Sequence, residues 1–196
     1  MPPTTTDKEP SGNYWVTWAN ANAKNSDQID DLEAGFRKKV EAFIQALEDA
    51  GATVAIRATL RSDKRAYLFH WCWMIGLRKA KPSEATAKPG VPIGWNHGSL
   101  QESVDGAKEM IHGFGLAVPP HSMVPPSLTS NHIAGKAIDM DITWAGTLEV
   151  KKKDGTVIEV PYMSDPNANV KLHQVGASYG VKKLTNDKPH WSYDGR

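Results

Sequence analysis

Two histidines and one aspartate in this sequence have the types and spacing of a catalytic zinc site. His132 and Asp139 lie close together in the chain, and His190 follows near the end of the sequence. Catalytic zinc is commonly held by two imidazoles and a carboxylate, with the fourth position left for water. The ion lowers the pKa of that water to about 7, so that hydroxide forms at neutral pH. We therefore predict one zinc ion per chain, bound by these three residues.

The sequence around Asp139 predicts the strand that would present it. Ile138, Met140 and Ile142 alternate with Asp139 and Asp141, which is the two-residue period of a β-strand. The apolar residues can then face a core while the aspartates face the other side of the sheet. Asp141 is predicted to have a supporting or structural role rather than to be a ligand, because a catalytic ion keeps one position open.

Another carboxylate lies just before the last predicted ligand. Asp187 precedes His190 by three residues, and Pro189 stiffens the link between them. A carboxylate there could reach the metal-bound water without binding the metal, which suits a general base. The remaining histidines are predicted to have structural or solvated roles: His70, His97, His112, His121 and His173.

These residues form two motifs that resemble those of a known peptidase family. The first motif, SxHxxGxAxD, is present as Ser130, His132, Gly135, Ala137 and Asp139, and the second as Asp187 followed by His190-Trp191. Both resemble the zinc D-Ala-D-Ala carboxypeptidases and dipeptidases, and the L-alanyl-D-glutamate endopeptidases of phage endolysins. These belong to the lysostaphin/D-Ala-D-Ala-peptidase/hedgehog fold group. The resemblance covers roughly residues 36–194. Many members have Glu where this chain has Asp187, whereas some endolysin-type members have Asp, so the chain looks closest to those.

The resemblance also suggests which residues contact the substrate. Arg61, in the stretch Thr59–Ser62, stands where the family has an arginine that holds the substrate or polarises the scissile carbonyl. A guanidinium suits both tasks, because it stays charged and donates hydrogen bonds in a fixed fork. Leu60 replaces the aromatic residue usual at its position. Ser130 is expected either to contact the substrate, as in the relatives, or to cap a turn. Trp191 is either a core residue or a substrate-facing aromatic.

The resemblance implies a zinc-dependent peptidoglycan peptidase that hydrolyses an amide bond in the stem or cross-link peptide. An endopeptidase used as a phage endolysin or as a secreted cell-wall-degrading toxin fits best, and a carboxypeptidase stays open. One alternative is a non-catalytic, zinc-stabilised cell-wall-binding or interaction module of the same fold. Asp187 argues against it, because a structural site needs no base beside it. The other alternative is a metal-free protein in which the same residues form only a polar network.

Composition and charge indicate which classes of binding partner to expect. The chain has 196 residues and a net charge of +1, which gives no reason to expect binding to nucleic acid or to an anionic membrane. The apolar run Ala66–Leu77 is too short to span a bilayer. The N-terminal residues lack the basic and apolar regions of a secretory signal. We expect a monomer made in the cytoplasm that acts at the cell wall or periplasm. We expect its release to depend on a holin or on a secretion machinery, and an immunity protein is a further expected partner.

The order of patterns predicts an α+β fold in a single domain. We expect a small, mainly antiparallel sheet with helices packed to one side and the zinc site in a cleft on the sheet. Residues 1–13 are predicted to be a flexible tail and residues 14–196 the peptidase domain. Residues 14–18 are expected to form a short strand or an aromatic strap. Strands are predicted at 53–60, 136–144, 148–150, 157–160 and 181–184. The turn signal Asp154-Gly155 predicts a hairpin of the third and fourth of these strands, which we expect to extend the sheet. Helices are predicted from Asp30 to Gly51, and over 64–80, 99–113 and 170–179.

Overall fold

The computed structural model describes residues 8–196 and has the predicted α+β composition. The helices of this part of the chain are α1 (Asn13–Asn22), α2 (Ala34–Asp49), α3 (Asp63–Gly76), α4 (Leu100–Phe114) and α5 (Val170–Tyr179). The strands are β1 (Glu9–Pro10), β2 (Thr53–Ala58), β3 (Ile93–Gly94), β4 (Ala137–Thr143), β5 (Thr147–Lys151), β6 (Val157–Pro161), β7 (Lys182–Lys183) and β8 (His190–Ser192). Within the described residues, no helix combines the length and apolar character needed to cross a membrane.

The described chain divides into two compact units. The first contains the described residues up to Lys24 together with Ser62–Thr129, and the second contains Asn25–Arg61 together with Ser130–Arg196. The predicted domain span, residues 14–196, stays a prediction, because this division does not decide whether either unit folds alone. Of the predicted tail, residues 1–7 lie outside the described residues. Glu9–Pro10 pairs in parallel with Ile93–Gly94.

The first unit is mainly helical. Helices α1, α3 and α4 pack around an apolar core that includes Trp15, Leu68, Cys72, Val104 and Met110. Burial raises the pKa of the Cys72 thiol far above its ordinary range, as expected for an inert core cysteine.

Helix α1 replaces the strand or strap expected at residues 14–18. Trp15 and Ala19, four residues apart, are both fully buried, which is the spacing of one helix face. The indole Nε1 of Trp15 donates to the carbonyl oxygens of Glu9 and Pro10 at 3.2 and 3.1 Å. The expectation was wrong because residues 14–18 are too few for their apolar pattern to distinguish a β-strand from an α-helix.

The second unit is built on a four-stranded antiparallel sheet in the order β2-β4-β8-β7. Helices α2 and α5 share a core with one face of this sheet, where Ile138, Met140 and Trp191 are buried with Phe43 and Leu172. The alternation predicted for residues 136–144 is confirmed, because Ile138 and Met140 face the core while Asp139 and Asp141 lie on the other face. The predicted arrangement of helices on one side of an antiparallel sheet is confirmed for this unit.

The hairpin predicted around Asp154-Gly155 forms, but it does not extend the main sheet. Within residues 8–196, strands β5 and β6 pair only with each other. Their apolar residues Leu148, Val150 and Val160 are buried in the core of the second unit. The expectation of one larger sheet was therefore wrong, because side-chain packing rather than strand pairing attaches this hairpin to the core.

Helix α2 begins later than its sequence signal indicates. Residues Ile29–Asp31 form a single 3-10 turn, and the side chain of Glu33 then caps the helix by accepting hydrogen bonds from the amides of Gly35 and Phe36 at 3.0 and 2.9 Å. Asp30 and Glu33 were both available to cap this helix. Asp30, the predicted cap, instead forms an ion pair with Arg37 at 3.1 Å.

Gly135 allows the loop before β4 to approach the start of helix α2. Its φ is 65°, in the left-handed region, and its carbonyl accepts a hydrogen bond from the amide of Glu33 at 2.9 Å. A Cβ at this position would lie 2.8 Å from that amide nitrogen and 3.3 Å from the carbonyl oxygen of Asp31. Two constraints thus favour glycine here: the left-handed backbone conformation and the lack of room for a Cβ atom.

Gly135→Ala should destabilise the protein more than Gly146→Ala does. Both glycines have a left-handed φ, of 65° and 69°, but a Cβ on Gly146 would meet no atom of residues 8–196 within 4 Å. The conformational cost of about 1–2 kcal/mol is common to both variants. The overpacking at Gly135 should add about 1–3 kcal/mol. Urea unfolding of the two variants measures the difference, and equal losses would contradict the close approach.

Candidate metal centre

His132 is held by the loop between residue 130 and strand β4. The Ser130 hydroxyl accepts a hydrogen bond from the His132 amide at 3.1 Å, and the His132 carbonyl accepts one from the Arg61 amide at 3.1 Å. The ring nitrogen Nδ1 lies 2.8 Å from the carbonyl oxygen of Thr59, just beyond the end of β2. Backbone and ring are therefore both attached to the segment that follows β2, which leaves the buried imidazole one orientation.

Asp139 and His190 are brought together by strand register. They are direct partners in the antiparallel pair of β4 and β8, so their side chains project from the same face. The Met140 amide donates to the Pro189 carbonyl at 2.9 Å, which continues the pairing into the loop before β8. Two of the predicted ligands thus depend on the sheet and the third on a loop attached to it.

The three side chains meet in a nearly equilateral triangle of donor atoms. His132 Nε2 lies 3.2 Å from Asp139 Oδ1 and 3.2 Å from His190 Nδ1, and His190 Nδ1 lies 3.1 Å from Asp139 Oδ1. Both imidazoles are buried, and the Asp139 side chain is 23% exposed. Within residues 8–196, this is the one group of three such side chains placed closely enough to share a metal ion.

The hydrogen bonds on the far sides of the two rings determine which nitrogens face the triangle with a lone pair. A carbonyl oxygen can only accept, so His132 Nδ1 donates to Thr59 and leaves Nε2 bare in the neutral ring. His190 Nε2 likewise donates to the Arg196 carbonyl at 3.2 Å, which leaves Nδ1 bare. Two lone pairs and a carboxylate oxygen then converge on one point, an arrangement that a cation stabilises.

The charge states of the ligands also suit a cation. Burial acts to raise the pKa of Asp139, but when no metal is bound a proton on the facing ring nitrogen of His132 or His190 donates to its carboxylate, and these contacts outweigh burial and hold that pKa well below its usual range. Burial acts to lower the pKa of His190, whereas the hydrogen bond to Asp139 and its charge raise it by more. Asp139 is therefore ionised, and a metal must compete with a proton for the His190 nitrogen.

A tetrahedral ion fits this triangle. Metal bonds of about 2.0–2.2 Å at tetrahedral angles would separate neighbouring donors by roughly 3.4 Å. The observed separations of 3.1–3.2 Å are slightly shorter, so a small outward shift of the side chains would accommodate the ion. The three predicted ligands are thus brought together in an arrangement compatible with one metal ion.

Asp187 lies in the turn that leads to His190, but its side chain is not part of the triangle. Its amide donates to the Leu184 carbonyl at 3.3 Å, and its own carbonyl accepts from the His190 amide at 3.2 Å. The residue is exposed, and its negative charge contributes to the raised pKa of His190. Among residues 8–196, no hydrogen bond or ion pair holds its carboxylate. Its role as a base stays a prediction.

Lys183 anchors the loop that carries both Asp187 and His190, and sequence reasoning missed it. Only 8% of the residue is exposed, and its Nζ donates to the carbonyl oxygens of Leu184 at 2.6 Å, of His190 at 3.2 Å and of Asp187. Burial lowers the pKa of Lys183 to about 8. Strand alternation was the available signal, because it places Lys183 on the buried face with Val181.

Asn131 is a second residue that the sequence did not single out. Its side-chain nitrogen Nδ2 donates to the Asp194 carboxylate at 2.8 Å and to the Arg196 carbonyl at 2.6 Å. The same carbonyl accepts from His190, so Asn131 holds the group that orients one ligand ring while its neighbour His132 supplies another.

The remaining predicted site residues fall in different places. Arg61 contacts His132 through its backbone, and Ser130 caps the turn that presents His132, which was one of its two expected roles. Trp191 is only 1% exposed and packs against Phe43 with ring centroids 5.2 Å apart. Its ring is enclosed in the core, so of the two roles expected for Trp191 the structure shows the core residue and not the substrate-facing aromatic named among the candidate substrate contacts.

The residues predicted to stay outside the ligand set do so where the structure describes their contacts. Asp141 pairs with Arg57 at 2.7 Å instead of joining the triangle. His70 and His173 hydrogen-bond to the backbone carbonyls of Pro126 and Pro166.

Comparisons with known proteins leave the site to be argued from its own geometry. No model of a protein family matches this chain, and no curated protein matches it either. The argument for a metal therefore depends on the donor triangle and on the hydrogen bonds that orient it.

Purified protein should contain about one metal ion per chain, and His132→Ala or His190→Ala should lose it. Each substitution removes one of three protein ligands and leaves a pair that binds weakly. His112→Ala is a matched control, because His112 is exposed on helix α4 outside the triangle. Elemental analysis after dialysis measures the content. A metal content in the double variant equal to that of the unaltered protein would refute the ligand assignment.

Lys183→Met should weaken metal binding although Lys183 is not a ligand. Methionine keeps most of the volume but leaves the carbonyls of Leu184, Asp187 and His190 without their shared donor. The metal dissociation constant should rise about 10–100-fold, the usual effect of losing a residue that orients a ligand. Lys182→Met, at the exposed neighbouring position, is the control and should change it little. Chelator competition provides the measurement, and equal affinities in the two variants would exclude an anchoring role.

Proposed function

We propose that this protein is a zinc-dependent peptidase that hydrolyses an amide bond in the stem or cross-link peptides of peptidoglycan. The observation that carries the proposal is the triangle of His132, Asp139 and His190, with both outer ring nitrogens bonded to carbonyl oxygens. Two histidines and one carboxylate characterise catalytic zinc sites, whereas structural sites use four protein ligands. Three protein ligands leave a position for water or substrate.

Zinc is proposed as the ion because of the donor set. Imidazole nitrogens suit zinc, copper, iron and nickel, and hard ions such as magnesium and calcium prefer all-oxygen sites. A bound zinc ion would polarise a carbonyl group and lower the pKa of water to about 7.

The chain's own residues supply proton transfer and positioning in this proposal. Asp187 takes a proton from the attacking water and returns it to the leaving amine. Its unpaired, exposed carboxylate supports this role, because no hydrogen bond or ion pair within residues 8–196 competes for it. Arg61, whose amide donates to the carbonyl of His132, would hold the substrate carbonyl with its guanidinium. Ser130 orients His132 through their hydrogen bond.

The wall peptide as substrate is supported by the motif resemblance of residues 130–139 and 187–191 to zinc peptidases of the cell wall. Within that class, we propose an endopeptidase used as a phage endolysin or as a secreted toxin. It would act at the cell wall or periplasm as a monomer.

Mass spectrometry of purified sacculi after digestion tests this function directly. The zinc-loaded protein should release peptide fragments whose new termini identify the bond that is cut, and His132→Ala should release none. If the protein binds zinc but leaves the sacculi intact, it is instead a zinc-stabilised interaction module. If it remains equally stable after chelation and never binds zinc, the three residues form a metal-free polar network.

Asp187→Asn and Asp139→Asn should separate the base from the ligand. Asn at 187 keeps the shape but cannot accept a proton, so zinc should stay bound while turnover falls about 10²–10⁴-fold. Asn at 139 removes a charged ligand, so zinc itself should be lost. Zinc content and hydrolysis rate are measured for both variants at one pH.

Asp187→Glu is the companion variant. It should retain part of the activity, because it keeps the carboxylate and changes only its reach. An Asp187→Asn protein with the original rate would refute the assignment of the base, and one without zinc would make Asp187 a ligand.

A further inference from the structure

A polar cavity lies on the open face of the sheet, beside the metal group. It has a volume of about 390 Å³ and lies within the second unit. Strands β2 and β4 form its floor, with Ala55 opposite Asp141 and Thr53 opposite Thr143 in the strand register. Helices α2 and α5 share their core with the other face of this sheet, and the polar residues of the floor are exposed. The cavity is therefore open to solvent.

The cavity lies next to two of the proposed ligands, Asp139 on β4 and His190 at the start of β8. Asp141 follows Asp139 by two residues on the same face, a separation of roughly 7 Å along a strand. Lys188, which also lines the cavity, precedes His190 by two residues. An extended peptide advances about 3.3–3.6 Å per residue. A peptide whose amide bond lies at the metal group would therefore place a group one or two residues away in this cavity.

Segment 162–166 forms a fixed wall. The Tyr162 amide donates to the Gly146 carbonyl at 2.8 Å, and the Tyr162 ring meets the edge of Trp144 with centroids 5.5 Å apart. At the other end, the Pro166 carbonyl accepts a hydrogen bond from the His173 ring at 2.8 Å. Tyr162 and Met163 nevertheless remain 49% and 40% exposed, so the wall presents apolar surface to the cavity.

Arg57 is held so that its terminal amino groups stay free. The pairing of β2 with β4 shifts register between Ile56 and Ala58, which makes Arg57 the extra residue of a bulge, a feature that commonly re-aims a side chain. Its Nε donates to Asp141 Oδ2 at 2.7 Å. Within residues 8–196, neither its Nη atoms nor the Nζ of Lys188 makes a hydrogen bond or ion pair. Two cations thus line the cavity, and only one carboxylate opposes them.

We propose that this cavity binds a carboxylate of the substrate peptide, one or two residues from the bond that is cut. The two Nη groups of Arg57 lie in one plane and can donate to both oxygens of a carboxylate. Asp141 holds the guanidinium in this position by accepting a hydrogen bond from its Nε. Lys188 supplies a second positive charge from the loop that carries the proposed base. The aliphatic and aromatic wall packs against the neighbouring part of the peptide. This inference rests on the proposed function, since it names the substrate feature that the same site selects.

The ion pair itself contributes little to folding, which keeps the test interpretable. Arg57 and Asp141 side chains are 62% and 50% exposed, and exposed pairs have small effects on stability. Arg57→Gln and Lys188→Gln should therefore unfold at nearly the original temperature. Arg37→Gln is a matched control, because it removes an arginine that pairs with Asp30 at 3.1 Å on helix α2.

The test uses two forms of one synthetic stem pentapeptide, one with free carboxyl groups and one with each converted to a carboxamide. Binding is measured by calorimetry on the zinc-loaded protein in an Asp187→Asn background, in which turnover is slow. The free acid should bind more tightly than the amide. Arg57→Gln and Lys188→Gln should each weaken binding of the free acid about 10-fold, as expected for lost hydrogen bonds to a charged group. Binding of the amide form should not change, and Arg37→Gln should affect neither peptide.

The outcomes separate this inference from the proposed function. If the free acid and the amide bind equally, or if the double variant retains the preference for the acid, the subsite is refuted even when sacculi are digested. If the preference disappears in the double variant while the Asp187-containing protein digests no sacculi, the carboxylate subsite stands and the peptidase function fails. With the original Asp187 present, the variants should raise KM for the free acid and leave kcat unchanged.

Discussion

The arrangement of the second unit depends on the electrostatics of three donor atoms held about one hydrogen-bond length apart. Two bare imidazole nitrogens and a carboxylate oxygen repel one another unless a positive charge lies among them, and a proton can satisfy only part of the triangle. The sheet register, the bond from His132 to Thr59 and the bond from His190 to Arg196 all hold the donors in this arrangement. Binding of a cation at this group would therefore add to the stability of the fold, because the unfolded chain has no such site.

The scaffold positions these donors with backbone groups more than with side chains. Asp139 and His190 face each other because they are register partners, and His132 is oriented by carbonyl oxygens and amides of neighbouring segments. The main side-chain contribution is the buried ammonium group of Lys183, which gathers three carbonyl oxygens of one loop. Backbone groups are present whatever the sequence, so this support leaves few traces in residue types.

That distinction explains what the sequence could and could not predict. The alternation of apolar and acidic residues in β4 reports burial on one face of a strand, so both the strand and the position of Asp139 were predictable. The residue types of His132, Asp139 and His190, and the motifs in which they stand, are typical of metal ligands, so the grouping of these three side chains was predictable as well. Helix α1 and the separate hairpin sheet were missed, because both depend on which surfaces pack together. The enclosure of Trp191 could not be decided for the same reason, since an aromatic beside a ligand suits a core and a binding surface equally.

The anchoring of segment 184–190 by Lys183 has a consequence for how this region can diverge. Because the hydrogen bonds of the Lys183 ammonium group within residues 8–196 all go to main-chain oxygens, the side chains of Thr185, Asn186, Asp187 and Lys188 carry none of that attachment, and they are exposed. Mutations at these four positions can accumulate while His190 keeps its place on the sheet. The backbone of the loop thus holds His190 in position, whereas its side chains are free to change. Selection can alter the proposed proton-transfer group, Asp187, and the neighbouring charge of Lys188 without first rebuilding the fold.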